Sequence, residues 1–219
     1  MPGITKLSAS IAKRQAAPLM PRVIAHRGAR TSAPENTIEA IVAAHELGSK
    51  FCEVDVMLSK DKEVFLNHDR TVDRCSNGNG AFGDKTAAEL LSLDVGSWFS
   101  PEFAGARYPL FCNVVETSME LGIGLNVEIK HLRQKADDAC PADCETASSE
   151  REIARETVRV LQEMDVDLGN LVFSSFSTHA LEIVKESLPQ VKRALLVEAI
   201  PDNWREEVER LRGSGPHFN

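Results

Sequence analysis

The sequence predicts an α/β fold built on a parallel sheet, and three observations carry that reading. From Pro21 to about Leu196, short apolar runs alternate with stretches of helical period, as βαβ units require. Polar residues recur every second position inside apolar runs: Glu53 and Asp55 in FCEVDVML, and Asn126, Glu128 and Lys130 in LNVEIK. Two further runs, PRVIAH and EVFLNH, end on His26 and His68.

Residues 23–25 read as a strand that stops at His26. Asn36 then reads as a helix N-cap with Glu39 three residues on, a capping-box variant. Ile38, Ile41 and Val42 supply the apolar stripe and Gly48 the stop. In the strand at 51–58, alternation turns Glu53 and Asp55 to one face and Cys52, Val54 and Val56 to the other. Asp61-Lys62 makes a turn into an extended segment, 63–67, that stops at His68 and is either a barrel stave or a hairpin partner. Residues 70–108, rich in Gly, Asn and Asp and then in aromatics, are expected to form a long irregular insertion, a lid or binding loop. Its Trp98, Phe99, Phe103 and Tyr108 either line a pocket or cover the end of the sheet. A helix follows at 110–121 and a strand at 124–129, with Leu125, Val127 and Ile129 opposite the polar face. A polar loop leads to a helix at 150–164, with Ile153, Val160, Leu161 and Met164 on one side. A strand at 171–174, a helix at 178–187 stopped by Pro189, a strand at 193–197 and a short helix at 204–211 complete the pattern.

The 219 residues are enough for one sizeable core. A net charge of −8 and a pI near 5.3 weigh against a nucleic-acid backbone as the main partner. No apolar run is long enough to span a bilayer. Residues 1–20 lack acids and lack the apolar core of a secretory signal, and are expected to be a flexible leader to the domain at 21–219. The five cysteines are scattered, unlike a disulfide framework, which favours a reducing compartment. Cys140 and Cys144 alone make a poor zinc site.

His26, Glu53, Asp55, His68 and Glu128 all fall at or near the carboxyl ends of strands, where parallel sheets place their ligands. Converging carboxylates suit a hard divalent cation, Mg²⁺ or Ca²⁺, and without one repulsion pushes a proton back on. Pairing with Arg27 or Lys130 is the structural alternative. Histidine, with a pKa near ~6.5, can give or take a proton at neutral pH. His45, His131, His179 and His217 read as surface or capping residues. Arg27 precedes Gly28, a position that lets backbone approach closely, and an arginine fork suits phosphate oxygens.

The segments VIAHRGARTSAPENT, FCEVDVMLSKDKEVFLNHD, LDVGSWFSPEF and LNVEIK occur in the order found in the glycerophosphodiester phosphodiesterases. Over about residues 21–211 the chain resembles this family, and most of all its cytoplasmic bacterial enzymes of glycerol and lipid metabolism. The resemblance implies a TIM-type (β/α) barrel with a small insertion after the second strand region. It implies metal ligands at Glu53, Asp55 and Glu128, an acid–base pair at His26 and His68, and phosphate contacts at Arg27 and Lys130. The implied reaction is hydrolysis of a glycerophosphodiester to sn-glycerol 3-phosphate and an alcohol.

A closed barrel needs eight strands, and about six extended segments are legible before RGSGPHFN. The C-terminal strands of the family are therefore expected to be missing, leaving an incomplete barrel with exposed edges. Such a chain is expected to aggregate or work weakly unless a partner copy completes it as a homo-oligomer. Two other functions compete: a phospholipase D-like relative acting on lysophospholipids, and a binding module made inactive by truncation.

Overall fold

A computed structural model describes residues 21–130, 145–164, 166–200 and 202–211. The expected leader at 1–20, the loop at 131–144 with His131, Cys140 and Cys144, and the tail with His217 lie outside the described residues.

The elements, in chain order, are β1 (Ala25–His26), α1 (Ile38–Glu46), β2 (Phe51–Leu58), β3 (Val64–Leu66), α2 (Ala87–Ser92), α3 (Phe111–Leu121), β4 (Gly124–Ile129), α4 (Glu145–Met164), β5 (Leu171–Ser175), α5 (Thr178–Ser187), β6 (Lys192–Leu195) and α6 (Trp204–Leu211). The sheet runs β1-β2-β4-β5-β6 with every pair parallel, and β3 joins β2 as an antiparallel hairpin partner. Among the described residues the sheet is open, with β1 and β6 at its ends.

Register positions the site. Glu53 lies opposite His26 on β1 and Asn126 on β4, while Asp55 lies opposite Glu128, which in turn lies opposite Ser174 on β5. The two-residue period then sends Cys52, Val54, Val56, Leu125, Val127, Ile129, Leu171 and Phe173 to the other face. There they share one core with Ile41 of α1, Phe111 and Val115 of α3, Ile153 and Leu161 of α4, and Leu181 and Val184 of α5. Helices thus pack against the apolar face, and polar side chains occupy the opposite one. That is the layering of a barrel wall, whose helices lie outside, rather than of a doubly wound sheet covered on both faces. At the foot of the polar face Phe51 lies across Gly124, where a Cβ would sit 2.1 Å from the ring.

Two local expectations are corrected and a third is refined. Thr37, not Asn36, caps α1, its side chain accepting from Ala40 N at 3.2 Å; the Asn36 amide is engaged elsewhere. Residues 70–108 are ordered around a second core: Val72, Phe82, Leu90, Val95, Ala106 and Tyr108 pack on Met57 and Phe65. Tyr108 is buried there with its ring 5.4 Å from Phe82, whereas Trp98 stays partly exposed against Phe99. Finally, α4 begins at Glu145 rather than 150, and Ala154 and Val158 share its buried stripe with Ile153 and Leu161. No described helix is long and apolar enough to cross a membrane.

Gly28 adopts φ +75°, and a Cβ there would meet the Ala40 backbone at 2.7 Å. Gly28→Ala is expected to lose more than the ~1–2 kcal/mol that left-handed backbone alone demands. Chemical denaturation measures that loss.

Candidate active site

The polar face gathers three carboxylates. Oxygens of Glu53, Asp55 and Glu128 all lie within 4.8 Å of one another. The three residues are only 7%, 0% and 8% exposed. Burial, and then repulsion from Asp55, pushes the Glu53 carboxyl up to about 8, and the same two causes raise Glu128. Glu53 Oε1 has no hydrogen-bond partner within the protein, and Asp55 Oδ1 meets only the Lys130 ammonium, 3.2 Å away. A buried acceptor without a donor costs ~1–3 kcal/mol. A cluster of hard oxygen donors with spare lone pairs and excess negative charge is the chemistry a divalent cation satisfies.

Cations of the chain offset part of this charge. Lys130 Nζ donates to Glu128 Oε1 at 2.7 Å and lies 3.2 Å from Asp55 Oδ1. Burial disfavours its charge, but Asp55 and Glu128 outweigh burial and raise its pKa. Arg27 Nε lies 3.5 Å from Asp55 Oδ2. The expected pairing of the acids with Arg27 and Lys130 is therefore present, yet it leaves Glu53 without a strong cationic partner. Glu53 Oε2 accepts from the backbone N–H of Arg27 at 2.8 Å and lies 3.8 Å from His26 Nε2.

The loop between β1 and α1 wraps this cluster. Arg27, Gly28 and Asn36 all take positive φ, and Asn36 N–H donates to Arg27 O at 3.0 Å. Asn36 then clasps Asp55 at both ends of one residue. Its Nδ2 donates to Asp55 Oδ2 at 2.8 Å, and its Oδ1 accepts from Asp55 N at 3.1 Å. The Arg27 guanidinium is steadied by Glu35 Oε1 at 2.9 Å.

His26 has a half-exposed side chain, and burial followed by the charges of Arg27 and Arg30 lowers its pKa below the ordinary value. Both causes favour the neutral ring, the form that can accept a proton. His68 follows β3, and its Nδ1 pairs with Asp69 Oδ1 at 2.7 Å. When protonated, the ring acts electrostatically on both His26 and Glu128. Every expected site residue therefore lies on this face or at its rim. Of the other histidines, His45 sits in the last turn of α1 and His179 contacts Arg151 at 3.0 Å.

Five contributors were not singled out from sequence: Glu35, Asn36, Asp69, Arg74 and Ser174. Glu35 and Asn36 lie in the PENT segment and Asp69 completes His-Asp, but by sequence Asn36 reads as a helix cap and the other two as flanking residues. Ser174 is buried beside Glu128 with its Oγ unpartnered, a position only the register discloses.

Residues 26–214 match the model of the glycerophosphoryl diester phosphodiesterase family. A glycerophosphodiester phosphodiesterase from Caldanaerobacter subterraneus subsp. tengcongensis is 35% identical over 176 residues, covering 80% of this chain and 66% of that protein. The chain thus spans just under two thirds of that relative. The structure of an Oleispira antarctica phosphodiesterase, in complex with the product sn-glycerol-3-phosphate, aligns with a TM-score of 0.75 at 36% identity. That alignment covers 87% of this chain and 72% of the other. A glycerophosphodiester phosphodiesterase from Agrobacterium tumefaciens aligns with a TM-score of 0.64 at 27% identity, covering 80% and 66% of the two chains.

The Glu53 carboxyl, held near 8 against an ordinary 4.5, binds a proton in the folded state that the unfolded chain has already released. Stability of the metal-free protein is therefore expected to fall as pH rises from about 4.5 toward about 8. Added Mg²⁺ should raise the melting temperature more at the alkaline end of that window. Melts across the window, in EDTA and in Mg²⁺, check both signs.

Proposed function

The chain belongs to the glycerophosphoryl diester phosphodiesterase family, and we propose that it hydrolyses glycerophosphodiesters to sn-glycerol 3-phosphate and an alcohol. The observation that carries this reading is the buried Glu53–Asp55–Glu128 cluster, with Arg27, Lys130 and His26 around it. The product complex of the Oleispira phosphodiesterase supports the substrate class.

Glu53, Asp55 and Glu128 would hold the cation, Mg²⁺ or Ca²⁺, which when bound polarises a phosphate oxygen and offsets its charge. Arg27, with its fork steadied by Glu35, offers paired donors to the non-bridging oxygens. Lys130 supplies a second positive charge as negative charge builds on the phosphoryl group. His26 and His68 serve as the acid–base pair. The neutral His26 ring suits removal of a proton from the attacking hydroxyl, either water or a hydroxyl of the substrate glycerol. His68, its Nδ1 engaged by Asp69, offers Nε2 to protonate the departing alkoxide. Attack by water yields sn-glycerol 3-phosphate directly and leaves His26 protonated and His68 deprotonated, a difference that exchange with solvent resets. Attack by the glycerol hydroxyl instead yields a cyclic phosphate, which water opens with neutral His68 as base and protonated His26 as acid.

We also propose a reducing, cytoplasmic setting, supported by the free thiols of Cys52, Cys75 and Cys112. Among the described residues the sheet ends at β1 and β6, and those edges support assembly with a second copy of the chain.

A coupled assay for glycerol 3-phosphate release from glycerophosphocholine tests the reading. Turnover is expected with Mg²⁺ or Ca²⁺ and none in EDTA. His26→Ala and His68→Ala should each lower kcat by ~10²-fold or more while calorimetry shows unchanged Mg²⁺ binding. Near-normal turnover in either variant overturns the acid–base assignment, and release of a cyclic phosphate alone overturns hydrolysis.

A further inference from the structure

We propose that Arg74, in the insertion after β3, is a positioning residue that fixes His68 and Arg27 in one geometry across the rim of the active site. The inference rests on the hydrolase reading for the roles of those two residues, but its geometry stands apart from it. Arg74 Nε donates to Asp69 Oδ2 at 2.5 Å, and its two terminal nitrogens donate to Glu35 at 2.7 and 3.0 Å. The other Asp69 oxygen holds His68 Nδ1 at 2.7 Å, and Glu35 Oε1 also accepts from Arg27 at 2.9 Å. One guanidinium therefore closes a continuous path, His68–Asp69–Arg74–Glu35–Arg27, between the β1–α1 loop and the stretch that follows β3.

The chemistry of each group explains the arrangement. An ionised carboxylate only accepts hydrogen bonds, so His68 Nδ1 carries the hydrogen and Nε2 is the atom left for proton transfer. The terminal torsion of an aspartate is broad and weakly biased; a bond from Arg74 to the second oxygen removes that freedom and so sets the plane of the ring. Burial disfavours ionisation of Glu35 and Asp69, but bonds from Arg74, with Arg27 on Glu35 and His68 on Asp69, outweigh it and keep both below the ordinary carboxylate range. All three guanidinium nitrogens are used, and a lysine ammonium cannot span the two carboxylates. The bland alternative is a surface ion pair. Arg74 is 45% exposed, and such pairs contribute little to stability, so this one should register in catalysis rather than in melting temperature.

Steady-state kinetics on glycerophosphocholine with Mg²⁺, beside melting curves, separate the two. Arg74→Ala is expected to lower kcat by ~10- to 100-fold with KM within about twofold and melting temperature unchanged. Arg74→Lys should recover little, and free guanidinium should restore part of the Arg74→Ala loss. Asp69→Asn should lose kcat comparably, and the double variant should lose less than the product of the two separate losses, the remainder reflecting the Glu35–Arg27 arm. Arg159→Ala, which removes an exposed pairing with Glu156 and Glu163 on α4, should leave kinetics unchanged. Nitrogen-15 histidine spectra give a reading independent of turnover: in its neutral form His68 should hold the Nδ1–H tautomer in the wild-type chain and lose that bias in Arg74→Ala. An inactive wild-type chain would sink the hydrolase reading and leave the positioning claim to be judged on those spectra. Unchanged kcat and tautomer in Arg74→Ala, a loss confined to melting temperature, or losses that multiply with Asp69→Asn would each overturn the proposal.

Discussion

Mutual repulsion among three buried carboxylates is the constraint around which this fold is arranged. Strand pairing forces it: the register that opposes Asp55 to Glu128 also keeps Val54, Val56, Val127 and Ile129 on the apolar side. A slip of one residue would send the acids into the helix-packed core and the aliphatic side chains to the polar face. The hydrophobic layer thus fixes acid positions that electrostatics alone would drive apart. Lys130 and Arg27 offset the charge on Asp55 and Glu128 in part, and the Glu53 oxygen they leave unpaired marks a place for one more positive charge.

Backbone strain is concentrated beside that cluster. Arg27 and Asn36 are two of the three described non-glycine residues with positive φ, and such conformations persist where surrounding bonds over-determine them. Here the bonds are specific: Arg27 N to Glu53, Asn36 N to Arg27 O, and the two-way Asn36–Asp55 clasp. The loop's geometry and the orientation of the acids are therefore one structural decision. The second core beneath residues 70–108 anchors the insertion that carries Arg74 to the opposite rim.

Much of this was legible in the sequence because strand alternation is a strong periodic signal. Glu53 and Asp55, and Asn126, Glu128 and Lys130, fall on shared faces by counting alone, and the short apolar runs located β2, β4 and β5 closely. What escaped depends on tertiary partners. Asn before a helix is ordinarily a cap, and nothing local says that Thr37 takes that role so that Asn36 can reach Asp55. The insertion looked irregular because its glycines and prolines conceal a core whose members lie far apart in sequence. The Arg74–Glu35 contact joins residues 39 apart, and no periodicity encodes it. Ser174 drew no attention because a serine at a strand end is commonplace until its neighbour is a buried glutamate.

Calorimetric titration of Mg²⁺ and of Ca²⁺ into the metal-free chain, repeated with Glu53→Gln and Glu128→Gln, bears most directly on the central claim. One cation should bind per chain with release of protons near neutral pH, and each variant should lose most of that affinity. Binding that is absent in the wild type, or equal in the wild type and both variants, would contradict the claim that these carboxylates share an ion.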